Sequence, residues 1–186
     1  MIEPRVDTFL PNSFCLVSCK SWACKSLACS VMAASDPRLK SPILRSCIAV
    51  LATIKDTIQS ILSETGRIDL LVNNAGYVLS RAFEDLAMDE IKAEYETNVF
   101  GLIRTTQAVL PIMREQKSGI IVNISSGNGR IGFPVASAYV STKFAVEGLS
   151  ESMSYELEPF GIKVVLVEPM FIITNAVNTM VVAKKS

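Results

Sequence analysis

Apolar side chains recur at the spacing of an amphipathic helix in three segments of the chain. The first, TIKDTIQSILSETG, opens with Thr53 and Asp56 at the spacing of a capping box and closes at Gly66. The second runs over 89–114, and the third over 137–158, where a proline and a glycine follow. We therefore predict three helices over these segments.

Three short apolar runs alternate with the helices and contain the β-branched residues that suit buried strands. They read RIDLLV from Arg67, GIIVNISS from Gly119 and IKVVLVEP from Ile162. Helix and strand therefore alternate along the chain, the order that gives a parallel sheet with right-handed crossovers. The pattern predicts an α/β fold built on such a sheet.

The first fifty residues do not share this pattern. Between Asp7 and Asp36 the chain is rich in serine, cysteine and alanine, lacks acidic residues and shows neither helical nor strand periodicity. We therefore predict an atypical N-terminal segment over 1–52 and an α/β domain over 53–186. For the N-terminal segment an import peptide, a helical extension and translated sequence never selected as protein all stay open.

Composition excludes several classes of function. The 18 basic and 18 acidic residues balance, so nothing indicates a nucleic acid or an anionic membrane as a partner, and no apolar run approaches the roughly 20 residues of a membrane span. The absence of histidine excludes Ser-His-Asp hydrolysis and His-based zinc sites, and we expect no metal. Five cysteines without C-x-x-C spacing indicate reduced thiols and a cytoplasmic protein.

Polar residues at the predicted strand ends are the main functional signal. Ligand sites of parallel sheets lie beyond the carboxyl ends of the strands, which here carry 73–76, 125–126 and 168–174. Tyr139 and Lys143 stand one helical turn apart after the second strand, so both can face one cavity. An ammonium about 5 Å from a phenol favours the phenolate by roughly two pKa units, so we predict a lowered pKa and acid/base chemistry for Tyr139.

Five ordered motifs make residues 54–174 resemble the short-chain dehydrogenase/reductase family. They are NNAG at 73–76, ETNVFG with Asn98, VNISS with Ser126, Tyr-x-x-x-Lys at 139–143 and EPMFIIT at 168–174. The branch that acts on steroids, retinoids and similar compounds looks most similar. The resemblance implies a partial Rossmann-like doubly wound parallel sheet with only its middle strands and flanking helices. It also implies an oxidoreductase that interconverts a hydroxyl and a carbonyl with NAD or NADP.

The resemblance further implies a role for each site residue. Tyr139 is expected to exchange the proton and to contact the cofactor, while Lys143 lowers the pKa of Tyr139 and holds the nicotinamide ribose. Ser126 is expected to position the substrate oxygen, and Asn98 to order a water. The remaining cofactor contacts are expected at Asn74, Ala75, Gly76 and Thr174. The implied partners are a small alcohol or carbonyl substrate and a second copy of the chain, as a homo-oligomer.

The chain departs from the family pattern at both ends. The family's T-G-x-x-x-G-x-G loop, which holds the cofactor phosphates, has no counterpart, since the first glycine of the chain is Gly66. Met170 also stands where the family usually has glycine. We therefore expect a truncated relative in which dinucleotide binding is weakened.

Two other functions stay open. One is a non-catalytic interaction module, in which the helices that carry Asn98 and Tyr139 pack against a partner subunit. The other is a Ser-Lys hydrolase that uses Ser126 and Lys143, although the sequence offers no G-x-S-x-G elbow and this hypothesis has no role for Tyr139.

Overall fold

A computed structural model describes residues 29–33, 44–48, 51–170 and 181–182 of the chain. Thr174 and Cys15, Cys19 and Cys24 lie outside the described residues. The strands are β1 (Cys29–Ala33), β2 (Leu44–Ile48), β3 (Leu70–Asn73), β4 (Leu79–Ser80), β5 (Gly119–Ile124), β6 (Ile162–Val167) and β7 (Val181–Val182). The α-helices are α1 (Leu51–Thr65), α2 (Met88–Tyr95), α3 (Gly101–Gln116) and α4 (Ser137–Leu157). None of these helices is long and apolar enough to cross a membrane.

The central sheet has the strand order β3-β5-β6, and both pairings are parallel. Leu71 lies opposite Ile121, which in turn lies opposite Val164, so these side chains point to the same face. This confirms the predicted α/β fold with a partial parallel sheet of middle strands. Two smaller pairs complete the described strands, an antiparallel β1–β2 pair and a short parallel β4–β7 pair.

The hydrophobic core lies between one face of this sheet and the helices. Its buried members come from α1, α3, α4, the three strands and the turn that precedes β3, and they are Ile54, Ile58, Ile61, Ile68, Leu71, Val109, Met113, Ile121, Leu157 and Ile162. Ile54, Ile58 and Ile61 follow the helical period from which α1 was predicted. The core therefore fixes the sheet against the helices and brings the carboxyl ends of β3 and β5 to one edge.

A buried polar network crosses the sheet next to this core. The Asn73 side-chain N–H groups donate to Asn123 Oδ1 at 2.8 Å and to Thr106 Oγ1 at 3.0 Å. The Asn123 amide donates to Ser150 Oγ at 2.8 Å, and the Thr105 hydroxyl donates to Asn73 Oδ1 at 2.8 Å. All five residues are buried, so the network ties β3 and β5 to α3 and α4 by polar contacts.

Two helix predictions need correction. Helix α1 begins at Leu51, two residues before the predicted start, so Thr53 lies inside its first turn and is not the cap. The single helix predicted over 89–114 is divided into α2 and α3 by a π-helical turn, Glu96–Phe100. The apolar period continues on both sides of the extra residue, which is why the sequence did not reveal this turn.

Candidate active site

Ser126 and Tyr139 meet beyond the carboxyl end of β5. Ser126 caps a short 3-10 turn, Gly127–Gly129, and its Oγ accepts a hydrogen bond from the Asn128 N–H at 3.1 Å. Tyr139 lies in the first turn of α4, half-buried, and its phenol lies near enough to the Ser126 side chain for that hydroxyl to act on the pKa of the phenol. The structure thus pairs the two hydroxyls that the sequence placed at the site.

Lys143 lies one turn further along α4 and is only 6% exposed. Its Nζ donates a hydrogen bond to the Ile124 carbonyl at 2.8 Å and stands 5.7 Å from the centroid of the Tyr139 ring. The backbone of β5 therefore anchors the ammonium beside the phenol. Ser126, Tyr139 and Lys143 share one region at the strand end.

Asn98 is buried within the π-helical turn and holds the chain that follows β3. Its Oδ1 accepts from the Tyr77 N–H at 3.1 Å, and its Nδ2 donates to the Tyr77 carbonyl at 3.0 Å. The same Nδ2 donates to Thr142 Oγ1 at 3.1 Å. Because Thr142 precedes Lys143, Asn98 joins the Tyr77 segment to the helix that carries the ammonium.

The NNAG segment divides between the core and the site. Asn73 belongs to the buried network, whereas Asn74 and Gly76 are exposed and Ala75 is half-buried. A Cβ placed on Gly76 would lie 3.1 Å from Asn98 Oδ1 and 3.7 Å from Lys143 Nζ. Because Gly76 has no side chain, its backbone can lie close to the polar groups of the site. Thr174, the last predicted cofactor contact, lies outside the described residues.

The predicted lowering of the Tyr139 pKa is wrong for this structure. Burial raises the pKa of the phenol, and the charge of Glu94 raises it further, whereas the hydrogen bond from Ser126 opposes the rise. Burial lowers the pKa of Lys143 to about 8, against the opposing charges of Glu94 and Glu147. The same desolvation therefore disfavours the charged form of Lys143 and keeps the Tyr139 phenol protonated. The spacing of the two residues along the sequence does not show this effect.

Glu94 is the site residue that the sequence analysis missed. Burial raises the pKa of its carboxyl to about 7, while a hydrogen bond from the Leu79 N–H and the charge of Lys143 act in the opposite direction. Its position four residues before Asn98 puts both side chains on one helix face, and that spacing was the available signal.

The geometry does not favour the Ser-Lys hydrolase. Lys143 donates to the Ile124 carbonyl, and the Ser126 hydroxyl is paired with Tyr139, the residue for which that hypothesis had no role. Among the residues that the structure describes, no cluster of three or more cysteine, aspartate or glutamate side chains is arranged to hold a metal ion.

Comparison with known proteins identifies the family. Residues 43–184 match the family of short chain dehydrogenases. An uncharacterised oxidoreductase of Schizosaccharomyces pombe is 40% identical over 124 residues, which are 67% of this chain and 52% of that protein. The structure of ElxO with NADP bound superimposes with a TM-score of 0.66 at 35% identity, over 69% of this chain and 52% of ElxO. The structure of NAD+-bound xylitol dehydrogenase gives a TM-score of 0.64 at 32% identity, over 66% and 47% of the two chains.

The chain spans about half the length of the relatives that it matches. The Schizosaccharomyces pombe relative is named an oxidoreductase and the xylitol enzyme a dehydrogenase, and the matches give no support to the alternative of a non-catalytic interaction module. The family match covers most of the chain, and the paired Ser126 and Tyr139 beside Lys143 occur in the order and spacing of the family motifs. The protein therefore belongs to the short-chain dehydrogenase/reductase family.

Proposed function

We propose that this protein is an NAD(P)-dependent oxidoreductase that interconverts a hydroxyl and a carbonyl group. The observation that carries the proposal is the proximity of the Ser126 and Tyr139 side chains beside the buried Lys143, whose Nζ lies 5.7 Å from the centroid of the Tyr139 ring. Two hydroxyl groups that meet at a strand end can both bind one substrate oxygen, and one of them can exchange a proton with it. The relatives that carry oxidoreductase names support the same reaction class.

The protonation of Tyr139 favours the reductive direction near neutral pH. Because its pKa is raised above the ordinary value of 10.0, the phenol holds its proton and is a donor to a carbonyl oxygen. Ser126 would hydrogen-bond the same oxygen, and the Lys143 ammonium would stabilise the phenolate left after transfer. Oxidation of an alcohol needs the phenolate and is therefore expected to gain at alkaline pH.

The residues around Gly76 fit a dinucleotide. Gly76 presents backbone without a side chain beside Lys143, and the ammonium has two N–H groups besides the one bonded to Ile124. Those donors suit ribose hydroxyls, and Asn74, Ala75 and Thr174 stay predicted contacts. When bound, the nicotinamide accepts or supplies the hydride. The relatives with NADP or NAD+ bound support either dinucleotide as the cofactor.

A direct test combines cofactor binding with turnover. NAD(P)H fluorescence should change on titration with the protein, and carbonyl compounds of the steroid, retinoid and short-chain classes should oxidise the bound cofactor. Tyr139→Phe should reduce turnover by about 10²-fold or more while binding is kept, because it removes only the proton donor. Tyr155→Phe, at an exposed tyrosine of the same helix, is the matched control. Full turnover by Tyr139→Phe, or no binding of either dinucleotide, would contradict the proposal.

The partners belong to the same proposal. The substrate is a small alcohol or carbonyl compound, and the steroid and retinoid branch and the cytoplasmic location stay predictions.

Phe144 and Tyr155 are 47% and 69% exposed and lie three helical turns apart on α4, which supports association of this face with a second copy. Light scattering should then give a dimer mass or larger, and Phe144→Ser should shift it toward the monomer.

A further inference from the structure

Glu94 is completely buried although it carries an ionisable carboxyl. It lies in the last turn of α2 with 0% of its surface exposed. Oε1 accepts a hydrogen bond from the Leu79 N–H at 2.8 Å, whereas Oε2 has no hydrogen-bond partner among the described residues. A buried carboxylate of this kind is costly unless a positive charge lies nearby, so the surroundings indicate what offsets the cost.

The helix that carries Glu94 is linked to the helix that carries Lys143. Asn98 follows Glu94 by one turn on the same face, and its amide donates to Thr142, the neighbour of Lys143 in the chain. Helix α2 packs against α4, and Gly76 lies between Asn98 and Lys143 Nζ. The carboxyl of Glu94 and the ammonium of Lys143 therefore share a region from which water is largely excluded.

A second carboxyl also acts on Lys143. Glu147 follows Lys143 by one turn of α4, and Arg130 Nη2 lies 3.2 Å from its Oε2, although the same Nη2 is hydrogen-bonded to Glu168. The titratable groups around the pair are Tyr77, Tyr139, Glu90 and Glu147. Both tyrosines are neutral near pH 7, because burial raises the pKa of each. Of the two carboxyls that act on Lys143, Glu94 is thus the one without an arginine partner among the described residues.

The pKa values agree with this pairing. Burial lowers the pKa of Lys143 to about 8, and Glu94 is the first of the two charges that oppose the shift. Burial raises the pKa of Glu94 to about 7, and the charge of Lys143 opposes that shift in turn. Each charge therefore favours the charged form of the other group, although burial has the larger effect on both pKa values.

We propose that Glu94 is a positioning residue, a buried counter-charge that keeps the Lys143 amine in its ammonium form. Its hydrogen bond to Leu79 also holds the segment that follows Gly76 in place beside Lys143. The proposal rests on the proposed function, because only the ammonium stabilises a Tyr139 phenolate and donates to ribose hydroxyls. When a proton is added to Glu94, Lys143 loses its counter-charge and gives up its own proton more readily.

The test measures the pKa of Lys143 without any turnover. In protein labelled with 13C-lysine, the Cε resonance of Lys143 is assigned by its loss in Lys143→Arg and followed against pH. The pKa of about 8 should fall by at least about half a unit in Glu94→Gln, which keeps an acceptor for Leu79 but removes the charge. Glu90→Gln removes a charge from the same helix that is not among those acting on Lys143, and it should leave the pKa unchanged.

A reciprocal measurement protects the test against a variant that fails to fold. In Lys143→Met, the 13C carboxyl resonance of Glu94 should report a pKa above the value of about 7. An unchanged Lys143 pKa in folded Glu94→Gln, or an unchanged Glu94 pKa in Lys143→Met, would overturn the proposal. Neither measurement needs a cofactor, so a protein that binds no dinucleotide refutes the proposed function and leaves the Glu94–Lys143 pairing to be judged separately.

Discussion

Replacing Asn123 by alanine should remove the centre of the buried polar network. Asn123 accepts one hydrogen bond from Asn73 and donates one to Ser150, both at 2.8 Å, and all three side chains are buried. The substitution removes the hydrogen bond from Asn73 and the hydrogen bond to Ser150 Oγ. Each lost hydrogen bond costs about 0.5–1.5 kcal/mol. We therefore expect the free energy of unfolding to fall by about 1–3 kcal/mol.

Urea unfolding followed by circular dichroism measures this loss. Asn123→Ala should lower the midpoint without changing the slope, and Ser150→Ala should cost about 1–3 kcal/mol because it strands the Asn123 amide. The double variant should cost less than the sum, since both changes break the same bond. Gln107→Ala, at an exposed amide on α3, should stay within about 0.5 kcal/mol of the wild type. A loss below about 1 kcal/mol in Asn123→Ala, or strict additivity, would refute the reasoning.

Two further changes probe backbone and charge. Gly66 and Gly161 both have φ of 71°, but a Cβ would meet open space at Gly66 and lie 2.5 Å from the Lys117 carbonyl oxygen at Gly161. Thermal unfolding should therefore show a loss of about 1 kcal/mol for Gly66→Ala and about 2–4 kcal/mol for Gly161→Ala, and equal losses would exclude the clash. The raised pKa of Glu94, about 7 against 4.5, contributes stability below pH 4.5 that is lost as the pH rises through 7, by about 3 kcal/mol. In Glu94→Gln the part of the pH dependence due to this group should vanish, and an unchanged curve would show that the carboxyl is not desolvated.

Much of the fold followed from pattern alone. Helix α4 and strands β5 and β6 lie within two residues of the predicted boundaries, because each has a long unbroken period or a dense β-branched run. The meeting of Ser126, Tyr139 and Lys143 was predictable too, since parallel strands end at a common edge and residues four apart share a helix face. Local spacing carries this information without knowledge of the tertiary structure.

The electrostatics of the site could not be predicted in the same way. The pKa of Tyr139 depends on how deeply α4 is buried and on Glu94, which lies 45 positions away in the sequence. The expectation of a lowered value counted the nearby cation and left out desolvation, which acts on both partners. Asn73 is a similar case, because it was predicted only as one of the polar residues at the strand ends, and its neighbours across the sheet make it part of the buried network.

The π-helical turn at Glu96–Phe100 sets the rotational phase between α2 and α3. Each residue of an α-helix advances the side-chain direction by about 100°, so one residue removed from this turn would rotate α2 by that angle about its axis. The apolar side chains of α3 would stay packed in the core, whereas the Glu94 side chain would turn away from its buried position. The length of this turn therefore determines whether the carboxyl of Glu94 lies on the side of α2 that packs against the helix of Lys143.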